Sequence, residues 1–121
     1  MIIKEMYEKV TMENPCGQAV FMSRLDTTVR SLIARYGKKY VVFRHQVYQR
    51  PVSVEDEIPV YEEYFPAILD NILFLTGGNP DRKTDYVQEA EDAYKSVSKA
   101  LLRGVKFRDA DYPYYADNVR F

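Results

Sequence analysis

Few residues in this chain are of a type that could do chemistry. There is one histidine, His45, and one cysteine, Cys16. A thiol at a helix N-terminus becomes nucleophilic because the dipole there favours the thiolate, and Cys16 stands just ahead of a helical pattern that begins near residue 18. A catalytic thiol also needs a base within hydrogen-bond reach, and His45 lies in a different segment. A plain thiol is therefore the expectation. A zinc site takes four ligands, largely Cys and His, more than one of each can supply. Carboxylates cluster at Glu55-Asp56-Glu57 and Glu62-Glu63, without the spacing and central glycine of a calcium loop. A solvated acidic loop is expected there. Gly77-Gly78 is too short for a phosphate loop, which has a longer Gly-rich turn and usually a lysine entering a helix. A helix end accounts for both glycines. No catalytic residue, metal or cofactor is expected.

The segment from Lys38 to Arg50 is the exception to this thin inventory. It interleaves Lys38, Lys39, Arg44 and Arg50 with Tyr40, Phe43 and Tyr48. Basic residues alternating with aromatics can follow a single-stranded backbone and stack its bases, so these four cations are a candidate nucleic-acid contact. The structural alternative is a strand with one packed and one wet face, its basic side paired with the acidic run that follows.

Four helices must position these residues. Ile2, Ile3, Met6, Tyr7 and Val10 are spaced for a short first helix, and Asn14-Pro15-Cys16-Gly17 breaks the chain. Phe21, Leu25, Thr28, Val29, Leu32, Ile33 and Tyr36 form one apolar stripe over residues 18–36, with Gly37 at the position where a helix ends in a left-handed residue. Residues 38–61 lack that period. Tyr40-Val41-Val42-Phe43 suits a short strand, Val47 and Tyr48 could begin another, and Pro51 and Pro59 confine the segment to edges and turns. Pro66 suits the first turn of a third helix, which Ile68, Leu69, Ile72, Leu73, Phe74 and Leu75 leave with little polar face; it should be central. Asn79-Pro80-Asp81 is a helix start, with a cap, a proline just inside and an acid in the first turn. Val87, Ala90, Tyr94, Val97 and Leu101 are its expected buried stripe, Glu91 and Lys95 its exposed pair, and Gly104 its stop.

The expected fold is therefore mainly α: a small bundle of about four helices over residues 1–104, with a short extended or β segment between helices 2 and 3. Residues 105–121 form an extended Tyr-rich C-terminal tail. Composition agrees. The chain has 121 residues, 46% hydrophobic and 29% charged, which suits one globular domain rather than disorder. Seventeen basic residues against eighteen acidic ones give a net charge of −1, which disfavours a general nucleic-acid binder. No stretch approaches the ~20 apolar residues of a membrane span, and Met1-Ile2-Ile3-Lys4-Glu5 has no signal-peptide pattern. A soluble intracellular protein is expected. Tyrosine occurs 11 times and tryptophan never, and tyrosine serves both core edges and interfaces.

The stretch Asp56-Glu57-Ile58-Pro59-Val60-Tyr61-Glu62-Glu63-Tyr64-Phe65-Pro66-Ala67-Ile68-Leu69 resembles a phrase found in the head–tail connector (portal adaptor) family of tailed bacteriophages. In that family an extended segment of the form D-x-I-P-V/L-P-x-E-Y-x-P-A leads into an apolar helix. A polar loop and a long amphipathic helix come next, here Gly77–Thr84 and Tyr86–Leu102. Arg35-Tyr36, Tyr40-Val41 and Gln49-Arg50-Pro51 are similar in style, so the resemblance spans roughly residues 25 to 103. The chain departs from the phrase at Tyr61, where the family repeats a proline, and in its tail beyond Gly104.

The resemblance implies a virion structural protein, not an enzyme. It would be assembled in the host cytoplasm into a ring, commonly of twelve subunits, beneath the portal. Its partners would be the portal protein and the next connector or tail protein, with DNA passing through without specific binding. A closed ring needs two different adhesive patches per subunit. Phe107, Tyr112, Tyr114, Tyr115 and Phe121 are the candidate residues for one of them, because a tail this aromatic is unlike a solvated terminus. It could equally pack back on its own domain. Two other readings stay open: a small helical regulatory or scaffolding module of bacterial or mobile-element origin, and a nucleic-acid-binding domain using residues 38–50.

Overall fold

The computed structural model describes residues 1–43 and 47–103. In chain order these form α1 (Ile3–Glu13), α2 (Gln18–Tyr36), α3 (Lys38–Val41), a 3-10 turn (Glu62–Tyr64), α4 (Phe65–Gly77) and α5 (Pro80–Arg103). Among the described residues the protein is a helical bundle without a strand, the mainly α class expected. Arg44, His45 and residues 104–121, including the whole candidate tail, lie outside the described residues.

Helix α4 is the axis. It packs most extensively on α5 and also contacts α2 and α1. Ala67, Ile68, Ile72 and Leu73 are buried on it, and each isoleucine or leucine so buried contributes roughly 1.5–3 kcal/mol relative to exposure. Phe21, Leu25, Val29 and Leu32 of α2 and Ile3, Met6 and Val10 of α1 complete the central cluster. Gly78, at φ 75°, ends α4 in the left-handed region, and its N–H donates to the Phe74 carbonyl at 2.7 Å. Two residues then suffice to reverse the chain into α5. Asn79 caps that helix: its Oδ1 accepts the Asp81 N–H at 3.0 Å.

The buried face of α5 departs from the expected stripe at two places, each by one residue. Tyr86, Ala90, Ala93 and Val97 are buried, whereas Val87 is 40% exposed and Tyr94 half-buried. The spacing 4-3-4 is equally helical. It buries the larger apolar surface of Tyr86 and sets two small alanines where α5 meets the bundle.

The extended segment also departs from expectation. Lys38–Val41 is a single helical turn, not a strand, set at a sharp corner by Gly37 (φ 92°). Val41 and Val42 are both fully buried. Neighbouring residues of a strand point to opposite faces, so a helical turn followed by a bend is what puts both into one core. Among the described residues two isolated antiparallel bridges remain of the β character, Ile2 with Glu57 and Val42 with Val60, the latter flanked by Tyr61 N–H to Val41 carbonyl at 3.0 Å. Residues 54–58 then cap α1. The Val54 and Asp56 carbonyls accept the N–H groups of Lys4 and Ile3 at 2.7 and 2.8 Å, and Glu57 bridges Ile2. First-turn N–H groups have no partner within their own helix, and here the Asp56–Ile58 stretch supplies one.

Candidate functional site

The basic-aromatic segment comes apart in three dimensions. Lys38 and Lys39 are exposed on α3, and Arg50 is exposed in the irregular segment that follows. The aromatic side chains between them are committed to the protein's own packing. Tyr40 meets Tyr94 edge-on at 5.4 Å, and Phe43 meets Tyr61 edge-on at 5.2 Å. Tyr48 donates its hydroxyl to Asp26 Oδ1 at 2.6 Å, with the Arg30 guanidinium over its ring at 5.3 Å. Burial first, and then the bond to the Asp26 carboxylate, hold the Tyr48 phenol well above its usual range. Base stacking would require these rings to leave their partners. Cys16 is half-buried against the core just before Gly17, the cap of α2, and its carbonyl accepts the Tyr7 hydroxyl at 2.9 Å.

Tyrosines close one end of the bundle. Tyr36 stacks on Tyr94 with centroids 4.7 Å apart, and Tyr64 lies 6.4 Å from Tyr36. The Tyr36 and Tyr64 hydroxyls are buried without a hydrogen-bond partner among the described residues. Desolvation, reinforced by the neighbouring phenols, pushes Tyr64 far up from its ordinary value. These rings serve the edge of the core, one of the two roles their abundance allowed.

Two polar clusters sit where an apolar helix was expected. Asp70 and Asn71 interrupt the run Ala67 to Leu73, and both are buried on α4. Asn71 donates through Nδ2 to Thr28 Oγ1 at 2.8 Å, and Thr28 donates to the Arg24 carbonyl at 2.8 Å. Asp70 belongs to a larger group. Arg82 of α5 forks between them: Nη1 donates to Asp70 Oδ1 at 2.8 Å and Nη2 donates to Glu13 of α1. Bonding to Glu13 and then Asp70 raises the Arg82 pKa. Glu89, about two turns further along α5 than Arg82, has a buried Oε1 to which no group among the described residues donates. The carboxyl of Asp70 lies beside it. Burial, the Asp70 contact and the charge of Asp85 together push Glu89 up to about 7. The one legible trace of this cluster is a pair of polar residues at the centre of a helix otherwise apolar all round.

An open apolar groove of about 190 Å³ runs between α1 and the start of α4, lined by Met1, Met6, Lys9, Phe65, Pro66 and Leu69. It shares no residue with the carboxyl cluster. Among the described residues no group of three or more His, Cys, Asp or Glu is placed to hold a metal ion, and no helix is long and apolar enough to cross a membrane. Comparison of the chain with protein-family models, with curated proteins and with solved structures found no match in any of the three.

Proposed function

We propose that this chain is a structural subunit of a phage virion, a head–tail connector that assembles into a ring beneath the portal and joins it to the next connector or tail protein. The observation that carries the reading is the place of the phrase Asp56–Leu69 in the fold. Its first residues cap α1, Val60 pairs with Val42, Tyr61 and Tyr64 are buried, and Pro66 opens the central helix. The part of the chain that resembles the connector family is thus the part that organises the bundle, and its backbone supplies caps and turns. The apolar groove beside it offers the kind of surface a neighbouring subunit covers. A net charge of −1 suits a channel component past which DNA must slide.

The test is sedimentation and negative-stain electron microscopy of the full chain, alone at rising concentration and mixed with a portal ring. Closed rings, or a stable portal complex of defined stoichiometry, are expected. A chain that stays a monomer or dimer throughout and ignores the portal would instead fit the scaffolding or regulatory module.

A further inference from the structure

We propose that Glu89 holds a proton at the α4–α5 interface and turns it toward Asp70, and that loss of this proton loosens α5 from α4. The geometry carries the inference. Glu89 Oε1 is buried and receives no donor among the described residues, an arrangement that costs free energy for a carboxylate. Beside it lies another carboxyl, that of Asp70 on the facing helix. Two carboxylates in contact cannot both ionise cheaply, but one proton between them turns repulsion into an O–H···O bond. Asp70 accepts from Arg82 at 2.8 Å, so Glu89 is the group that carries the proton and donates it.

The charged groups acting on Glu89 are Asp70 of α4 and Asp85 and Arg82 of its own helix, with Glu13 of α1 drawing on the same guanidinium. One cation therefore faces several acids. When Glu89 gives its proton to water, a second anion is left in the interface, and among the described residues no donor is in place to hold its Oε1. Because α4–α5 is the most extensive contact among the described helices, opening there is felt by the whole bundle. This inference is independent of the connector reading, since it concerns the subunit alone and is tested without assembly.

The direct measurement is a carbon-detected NMR titration of the Glu89 carboxyl in the intact wild-type chain. A midpoint near 7 is expected, and a midpoint near the ordinary 4.5 overturns the proposal. Hydrogen exchange then reads the consequence. Between about pH 5.5 and about pH 8.5, after correction for intrinsic exchange, α4–α5 amides of the wild type should lose protection by roughly tenfold. Glu89→Gln, which offers a permanent donor to Asp70, should hold its protection over that range. An equal loss in wild type and variant would show that another group, such as His45, is responsible and would sink the switch.

Discussion

Thr28 shows how much a single buried hydroxyl can decide. It is fully buried on α2, gives its proton to the Arg24 carbonyl and receives the Asn71 amide of α4. Thr28→Val keeps the shape and leaves Asn71 without its acceptor, and a buried group so stranded costs about 1–3 kcal/mol. Replacing both partners, Thr28→Val with Asn71→Leu, should recover much of that loss. Urea unfolding of the two single variants and the double variant measures the coupling, and simple additivity would refute it. A second residue-scale case is Gly77. A Cβ there would lie 2.6 Å from Asn14 Nδ2, which donates to the Leu73 carbonyl at 3.1 Å and to Thr76 Oγ1 at 3.3 Å. Gly77→Ala should therefore destabilise by roughly 1 kcal/mol, the worth of such a bond. In an Asn14→Ala background the same change should become neutral or stabilising, because alanine is the better helix former by up to about 1 kcal/mol. Thermal unfolding of the four proteins checks the reversal of sign. The sequence shows Asn14 only as part of a chain break, because its partners in α4 are 59 and 62 positions away.

At the scale of elements, the long helices α2, α4 and α5 were legible because cap, period and stop signals agree. The register of α5 was not. Val87 and Tyr86 both satisfy a helical period, and the choice falls on whichever residue buries more surface in the bundle, which pattern alone does not state. The turn Lys38–Val41 was misread for the same reason: β-branched residues signal burial on a pleat, yet here they are buried on one side of a bend. The carboxyl pair belongs to this scale too, since it ties two helices together, and its sign can be worked out. Glu89 has a folded value near 7 against an ordinary value of 4.5. Its contribution to stability is therefore fully present below about pH 4.5 and is lost as pH rises through about 7. Discounted for partial exposure, the difference is about 1–2 kcal/mol, on the order of 5 °C in Tm. Glu89→Gln should gain that much over wild type at about pH 8.5 and little at about pH 4.5. A constant offset between the two melting curves across that range would contradict the assignment.

For the whole molecule, the buried cluster among the described residues runs from Ile3 of α1 to Val97 of α5, and Leu101 packs against it from the last turns of that helix. The helices thus find their apolar partners in one another. The tail read from the sequence, residues 105–121, carries Phe107, Tyr112, Tyr114, Tyr115 and Phe121 beyond that cluster in the chain. Ordering it on any surface costs roughly 1–2 kcal/mol of backbone entropy per residue, which a chain repays only through broad aromatic and apolar contact. In a ring, the neighbouring subunit or the portal offers such contact. Truncation after Gly104 should therefore leave the helical circular-dichroism signal of residues 1–104 and its cooperative melt largely intact, while shifting self-association or portal binding to markedly higher concentration. If the truncated chain instead loses much of its helical signal, the aromatic tail is part of the subunit's own core and the adhesive surface must be sought on the bundle itself, where the groove formed by Met1, Met6, Phe65 and Leu69 is the place to substitute next.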